Sequence, residues 1–214
     1  MKKLLMGAAA AALLAAPASA AIFVTAGTVN PIPTPGNNFK ADLNNVGLFN
    51  FGIANAITVT FGRYKFEYLG SESGFSNTFQ ANGLNGSISF QETGNANLFA
   101  APQNLGDLLL DDGTPDWSFL SNGAGAPFNT SSVAFSVFLP RGIAQGDVFK
   151  TNVLYLGFDD NTGNPDDNHD DILIRVSAVP EPATWAMMIA GFGLVGGAVR
   201  RRAKASPSVK VVYS

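Results

Sequence analysis

The chain has no cysteine. That removes disulfide staples and thiol chemistry together, so the fold rests on packing, hydrogen bonds or a bound metal. Histidine occurs once, as His169. A zinc site usually needs more His or Cys than that, and a Ser-His-Asp triad would have to be built around this one imidazole. Basic charge is scarce outside the two ends. Residues 21–180 carry six basic groups (Lys40, Arg63, Lys65, Arg141, Lys150, Arg175) against 15 acidic ones, a net of −9 that the overall −3 conceals. Such a surface repels nucleic acid and anionic lipid and attracts cations, so no nucleic-acid partner is expected.

Motifs for catalysis are absent as well. There is no phosphate-cradling loop and no dinucleotide fingerprint. The G-x-S-x-G pattern fails around Ser73, because residue 71 is serine. Glu67, Glu72, Glu92 and Asp116 are available as glycosidase carboxylates, but four scattered acids specify no pair. Trp117 beside Asp116 could stack on a sugar, against the plainer reading that the two Trp and 17 Phe fill a core. The expectation is a protein that is not an enzyme.

What is present begins with a secretory signal. Lys2 and Lys3 form a basic start, residues 4–16 an apolar stretch, and Ala18-Ser19-Ala20 a small-residue cleavage site. Residues 1–20 are therefore expected to leave, with Ala21 as the mature N-terminus; an uncleaved anchor is the alternative. About 160 residues follow before the C-terminal region, enough for one domain with a core. Pro31, Pro33, Pro35, Gly36, Asn37 and Asn38 mark an early loop. Thereafter apolar residues recur with a period of two: Ile57, Val59 and Phe61; Tyr64, Phe66 and Tyr68; Ile88 and Phe90; Val133, Phe135, Val137 and Leu139; Ile172, Ile174 and Val176. Each reads as a half-buried strand with one row inward and one outward. Residues 103–112 read as a short helix stopped by Gly113 and Pro115. The expected fold class is all-β: an antiparallel, jelly-roll-like β-sandwich over residues 21–179, without tandem repeats or internal linkers. A signal-peptide helix precedes it and one transmembrane helix follows.

That last helix is the most specific feature. Residues 183–199, ATWAMMIAGFGLVGGAV, contain no ionisable group, and as a helix would span roughly 25 Å, just enough for a bilayer core. Arg200, Arg201 and Arg202 follow at once and hold that end in the cytoplasm, leaving everything before Pro180 outside. Pro180 and Pro182 exclude helix before residue 183 and keep an extended, protease-accessible segment above the membrane. Trp185 falls at headgroup level. Gly193 and Gly197 form a GxxxG pair, read equally as a helix-packing face or as the small residues common in membrane spans.

The order of Pro180-Glu181-Pro182, Trp185, apolar helix and arginine cluster resembles the PEP-CTERM protein-sorting signal of Gram-negative bacteria. The resemblance covers residues 179–202 and includes PEPATWAMMIAGFGLVGG at residues 180–197. The resemblance implies a single-pass inner-membrane intermediate with its ectodomain in the periplasm. An exosortase-type membrane enzyme then cleaves near Pro-Glu-Pro and passes the ectodomain to the cell surface or extracellular matrix. The tail, residues 203–214, departs from signals that end at the arginines. Gly70-Ser71-Glu72-Ser73-Gly74-Phe75, followed by Asn77, Thr78 and Phe79, also resembles a segment recurring in PEP-CTERM ectodomains. The residues themselves read there as a polar turn between strands.

One loop could carry chemistry. Between strand-like Val153–Phe158 and Ile172–Ala178 lie Asp159, Asp160, Asp166, Asp167, Asp170 and Asp171, six carboxylates in 13 residues. A like-charged pair 4 Å apart costs about 1 kcal/mol in water and more where solvent is partly excluded. A hard divalent cation converts that repulsion to binding, and Asp159, Asn161, Asp166, Asn168 and Asp170 supply suitable oxygens for calcium. The EF-hand template fails, since Gly163 falls at loop position 5 when Asp159 is position 1. The alternative is a solvated hairpin loop that keeps the surface soluble, with His169 exposed among the aspartates. Two roles follow: a structural protein of the surface, exopolysaccharide or biofilm, or a calcium-dependent carbohydrate-binding module.

Overall fold

The computed structural model describes residues 20–33, 36–121, 128–129, 132, 134–160, 168–180, 188, 190–197 and 200. It divides into two units, Ser19–Val179 and a second made of Met1–Ala18 with Pro180–Ser214. The expected signal-peptide helix and the 203–214 tail lie outside the described residues.

In the first unit the period-two runs become strands. In chain order these are β1 (Ile22–Pro31), β2 (Leu48–Val59), β3 (Gly62–Ser71), β4 (Asn77–Gly83), β5 (Gly86–Gln91), β6 (Ala96–Asn97), β7 (Gln103–Leu110) and β8 (Trp117–Ser121). There follow β9 (Phe128–Asn129), β10 (Phe135–Pro140), β11 (Val148–Thr151), β12 (Val153–Phe158) and β13 (Ile172–Ala178). One short helix, α1 (Lys40–Asn45), interrupts them early. Among the described residues every strand pairing is antiparallel, as the sequence led one to expect of an all-β chain. The larger sheet runs β11-β1-β2-β10-β12-β13-β3-β6, with β7 also on β3; the smaller runs β5-β4-β8-β9.

The main core lies where the two sheets meet. Phe79, Trp117 and Phe119 of the small sheet pack on Phe66, Phe135 and Phe158 of the large one. Ring centroids 5.1–5.9 Å apart, several tilted or edge-on, suit the aromatic quadrupole. Trp117 is fully buried, so the sugar-stacking reading of this residue is wrong: its ring is spent on Phe66.

The expectation of one inward and one outward row also fails for the middle strands. Ile172, Ile174 and Val176 enter the main core, but Leu173 is buried too, on the opposite face. There it joins Leu69, Phe138, Phe51, Phe39 and Leu43, the last from α1. The helix covers the back of the sheet, so central strands are buried on both faces and carry apolar residues in both rows. Phe61 departs in the other direction. It is 46% exposed because β2 has ended at Val59 and the chain is turning.

Residues 103–112 are not helical. They form β7, where Leu108 and Leu110 are buried in alternation with Asp107 and Leu109, a period of two that the short run of leucines disguised. Gly106, at φ 126°, falls where β7 shifts register against β3 between Phe66 and Glu67. Gly157 of β12 is needed for a different reason. A Cβ there would strike the His169 carbonyl and the Phe138 ring, so the backbone of the acidic segment lies directly on the sheet.

In the second unit, residues 188, 190–197 and 200 are helical. Phe192, Leu194 and Val195 are largely exposed, and a Cβ on Gly193 or Gly197 would meet nothing. The rest of the expected 183–199 span lies outside the described residues, and among those described no helix is long and apolar enough to cross a membrane.

Candidate functional site

One end of the sheets gathers polar side chains that the sequence scatters. β3 ends at Ser71, β4 begins at Asn77, β5 ends before Glu92, β12 ends before Asp159 and Asp160, and β13 begins after Asp171. The loop ahead of α1 closes over this end. Asn37 Nδ2 donates to the Asn168 carbonyl at 2.6 Å, Asn38 N donates to Asp170 Oδ2 at 2.7 Å, and Phe39 N donates to Asn37 Oδ1 at 3.0 Å, an Asx turn. Glu72 N donates to the Asp170 carbonyl at 3.1 Å.

A second group lies alongside. Asp160 Oδ2 accepts from Ser73 Oγ and from Asn77 Nδ2, and Asp160 N donates to Asp171 Oδ2. Asn77 spends its backbone and side-chain N–H on Glu92 Oε1, both at 3.1 Å.

Asp159, Asn168, His169 and Asp170 are all buried, Asp170 completely. This corrects the picture of a solvated hairpin for the described part of the loop. It corrects the exposed histidine too: the His169 ring packs on Phe51 with centroids 4.6 Å apart, and its backbone takes φ 54°. Tight packing of α1 and its loop against the sheet drives both changes, and nothing in a run of aspartates announces it. Asn161 and Asp166, two of the five calcium ligands expected, lie outside the described residues. Asp159, Asn168 and Asp170 fall in this one segment, while Glu72 and Glu92 were missed as its neighbours. Their only sequence signal is acidity at strand ends. Among the described residues no three His, Cys, Asp or Glu side chains are grouped so as to hold a metal.

Burial sets the electrostatics. The Asp170 carboxyl is pushed up to about 8, first by desolvation and then by Glu72 and Asp171, against the pull of the Asn38 amide. Asp170 Oδ1 and Glu72 Oε2 have no hydrogen-bond donor among the described residues, so a proton held on Asp170 relieves the repulsion between the two carboxyls. Glu92 is raised by desolvation as well. Burial, with the Glu92 charge adding, pushes the Tyr68 hydroxyl up to about 12. Glu67 behaves oppositely. Desolvation raises it, but Lys65 at 2.7 Å and Arg175 at 2.7 Å outweigh that and hold it below the ordinary range. Beside the acidic cluster a depression of about 280 Å³ is lined by Asn38, Phe39, Ser71, Glu72, Asn95 and Asn97.

The other functional region begins where this domain stops. The β13 ladder runs to Ala178, opposite Tyr64, and Val179 N still donates to the Arg63 carbonyl at 2.8 Å. Pro180, exposed, comes next. Glu181, Pro182, Trp185, Arg201 and Arg202 lie outside the described residues, and Arg200 is helical and exposed. Residues 178–202 match the family model of the PEP-CTERM protein-sorting motif. The chain carries a PEP-CTERM sorting motif. The motif implies an exported, membrane-passing protein processed by exosortase, a membrane enzyme. No curated protein matches the chain. The PEP-CTERM match starts at Ala178, the last residue of β13, so domain and signal meet without a spacer.

The acidic end has a measurable signature. Folding raises the Asp170 pKa above its ordinary value near 3.9, so the folded chain holds a proton that the unfolded chain releases. This contribution to stability is therefore full below about pH 4, declines as pH rises, and is gone above about pH 8. Urea midpoints between pH 4 and 9 should fall accordingly, and Asp170→Asn should flatten the slope. An Asp170→Asn chain with the parent's slope would contradict the assignment.

Proposed function

We propose that this is an exported, non-enzymatic surface protein. Residues 1–20 leave as the secretory signal. The 183–199 helix holds the chain in the inner membrane with its β-sandwich outside, and exosortase cuts near Pro180-Glu181-Pro182. The ectodomain then serves in the surface layer, exopolysaccharide or biofilm. The observation that carries this reading is that the folded β domain runs directly into the PEP-CTERM motif: the last ladder residue is Ala178, Val179 N still bonds the Arg63 carbonyl, and the motif match starts at Ala178. The exposed apolar side chains of Phe192, Leu194 and Val195 support a lipid-embedded stage, since an apolar helix in water lacks any covering. In the producing cell, replacing Pro180 and Pro182 together by alanine should leave the chain at full length in the membrane fraction. Continued release of a shortened ectodomain from that variant would count against the reading.

A second reading is favoured by the acidic end, a calcium-dependent carbohydrate-binding module. Carboxylate oxygens of Asp170 and Glu72 are buried without donors among the described residues, beside a depression that Glu72 lines, and a divalent cation would offset that cost more fully than one proton. Asp170 and Asn168, with Asp159 close in sequence, would hold the ion, and Asn161 and Asp166 would complete the set. Calcium added at pH 8 should raise the melting temperature by a few degrees, on the order expected for a ligand well above its Kd. It should do so less at pH 5, where protons compete. No shift at either pH would remove calcium from the account.

A further inference from the structure

Both ends of the β domain leave it from the same rim. Thr60 N donates to the Ala21 carbonyl at 3.0 Å and Val179 N donates to the Arg63 carbonyl at 2.8 Å, so the first and last residues flank the β2–β3 turn. Other turns meet there. Val59 bridges Gly113 in the β7–β8 loop, and Gly62 pairs with Leu110. Leu84 N, in the β4–β5 turn, donates to the Leu109 carbonyl at 2.8 Å. Val153 opens β12 opposite Ser177, one residue before Ala178. Glu72 and the acidic cluster follow β3 at its other end. Three large apolar side chains face solvent on this rim: Phe61 is 46%, Leu84 62% and Val153 39% exposed. Phe61 and Leu84 occupy turns, where Gly, Pro, Asn, Asp and Ser are the usual residues.

Chain length limits what this rim can face. Val179 is still bonded to the domain, the apolar run starts at residue 183, and the backbone between them spans at most about 14 Å. We propose that the rim bearing Phe61, Leu84 and Val153 docks on the outer surface of the lipid bilayer while the 183–199 helix holds the chain. The proposal rests on the reading of that run as a membrane span. So short a tether keeps the turns around Arg63 and Val179 close to the headgroup layer, where apolar side chains gain by leaving water. The exposed charges nearest these turns include Arg63 against Asp111, Asp112 and Asp116 of the β7–β8 loop. Their net negative sign makes zwitterionic lipid the better partner than anionic lipid. Docking also decides which end of the domain is displayed. β3 is ten residues long, so the acidic cluster beyond Ser71 stands up to roughly 30 Å farther from the lipid and faces the medium.

The test uses the uncleaved full-length chain reconstituted in phosphatidylcholine vesicles. Because the chain has no cysteine, a single introduced one carries a nitroxide label without interference. Its collisions with lipid-soluble oxygen and with a water-soluble nickel complex report immersion. Labels go at Leu84→Cys on the rim, at Phe75→Cys, 58% exposed near the acidic end, and at Phe192→Cys in the apolar run. The expected oxygen-to-nickel collision ratio at residue 84 is severalfold above that at residue 75. Adding Phe61→Ser to the Leu84→Cys chain should bring the ratio down toward the residue-75 value. Phe61 lies outside both buried cores, so that substitution tests the rim and not the fold. Equal ratios at residues 84 and 75, in a chain whose residue-192 label is immersed, overturn the docking, as does a residue-84 ratio untouched by Phe61→Ser. A residue-192 label bathed in water overturns the membrane-span reading itself, which separates the two failures.

Discussion

Strand β13 lies between β12 and β3, and both of its edges are hydrogen-bonded: Ile172–Ala178 pairs with Val153–Phe158 on one side and with residues 64–70 on the other. It is also packed on both faces, through Ile172, Ile174 and Val176 toward the small sheet and through Leu173 toward the layer under α1. A strand held on four sides is the costliest kind to remove, because its loss exposes two edges and opens two cores together. That constraint fixes the ectodomain's boundary. The chain cannot be shortened into β13 without undoing the domain, and the PEP-CTERM motif begins where β13 ends.

The same strand explains the acidic end. Entry into β13 is through Asn168, His169, Asp170 and Asp171, so whatever holds these residues also holds the strand's start. The fold uses the loop before α1 for this, through Asn37 and Asn38, together with Gly157, whose missing side chain admits the His169 backbone. Carboxyls are consequently buried beside one another. Their charge must be met by protons or by a cation, and this choice gives the domain a chemical sensitivity that its surface aspartates alone would not supply.

Much of this was legible in the residues. Alternation at Tyr64, Phe66 and Tyr68, and at Ile172, Ile174 and Val176, marks strands directly, because the period of two survives whatever packs on the second face. The second face itself was not legible: Leu69, Phe138 and Leu173 look like outward positions until α1 is known to cover them. β7 was misread because adjacent leucines at 108–110 mask the alternation, and only pairing with β3 selects strand over helix. At the acidic site the aspartates were visible but their burial was not. Glu72 and Glu92 join them through interactions across about 70 to 100 residues of sequence, a distance at which local pattern carries no information. The sorting motif was the most legible part, since its meaning lies in a short linear order of Pro-Glu-Pro, Trp185, apolar helix and arginines.

The claim on which the account turns is that folded cargo and sorting signal meet at Val179 and Pro180. Mass spectrometry of the C-terminus of the mature protein from its native cells tests this most directly. The account predicts a chain ending at or just after Val179, within the Pro180-Glu181-Pro182 segment, with residues 183 onward gone. A mature surface form ending inside β13, or one still carrying Arg200, Arg201 and Arg202, would contradict it.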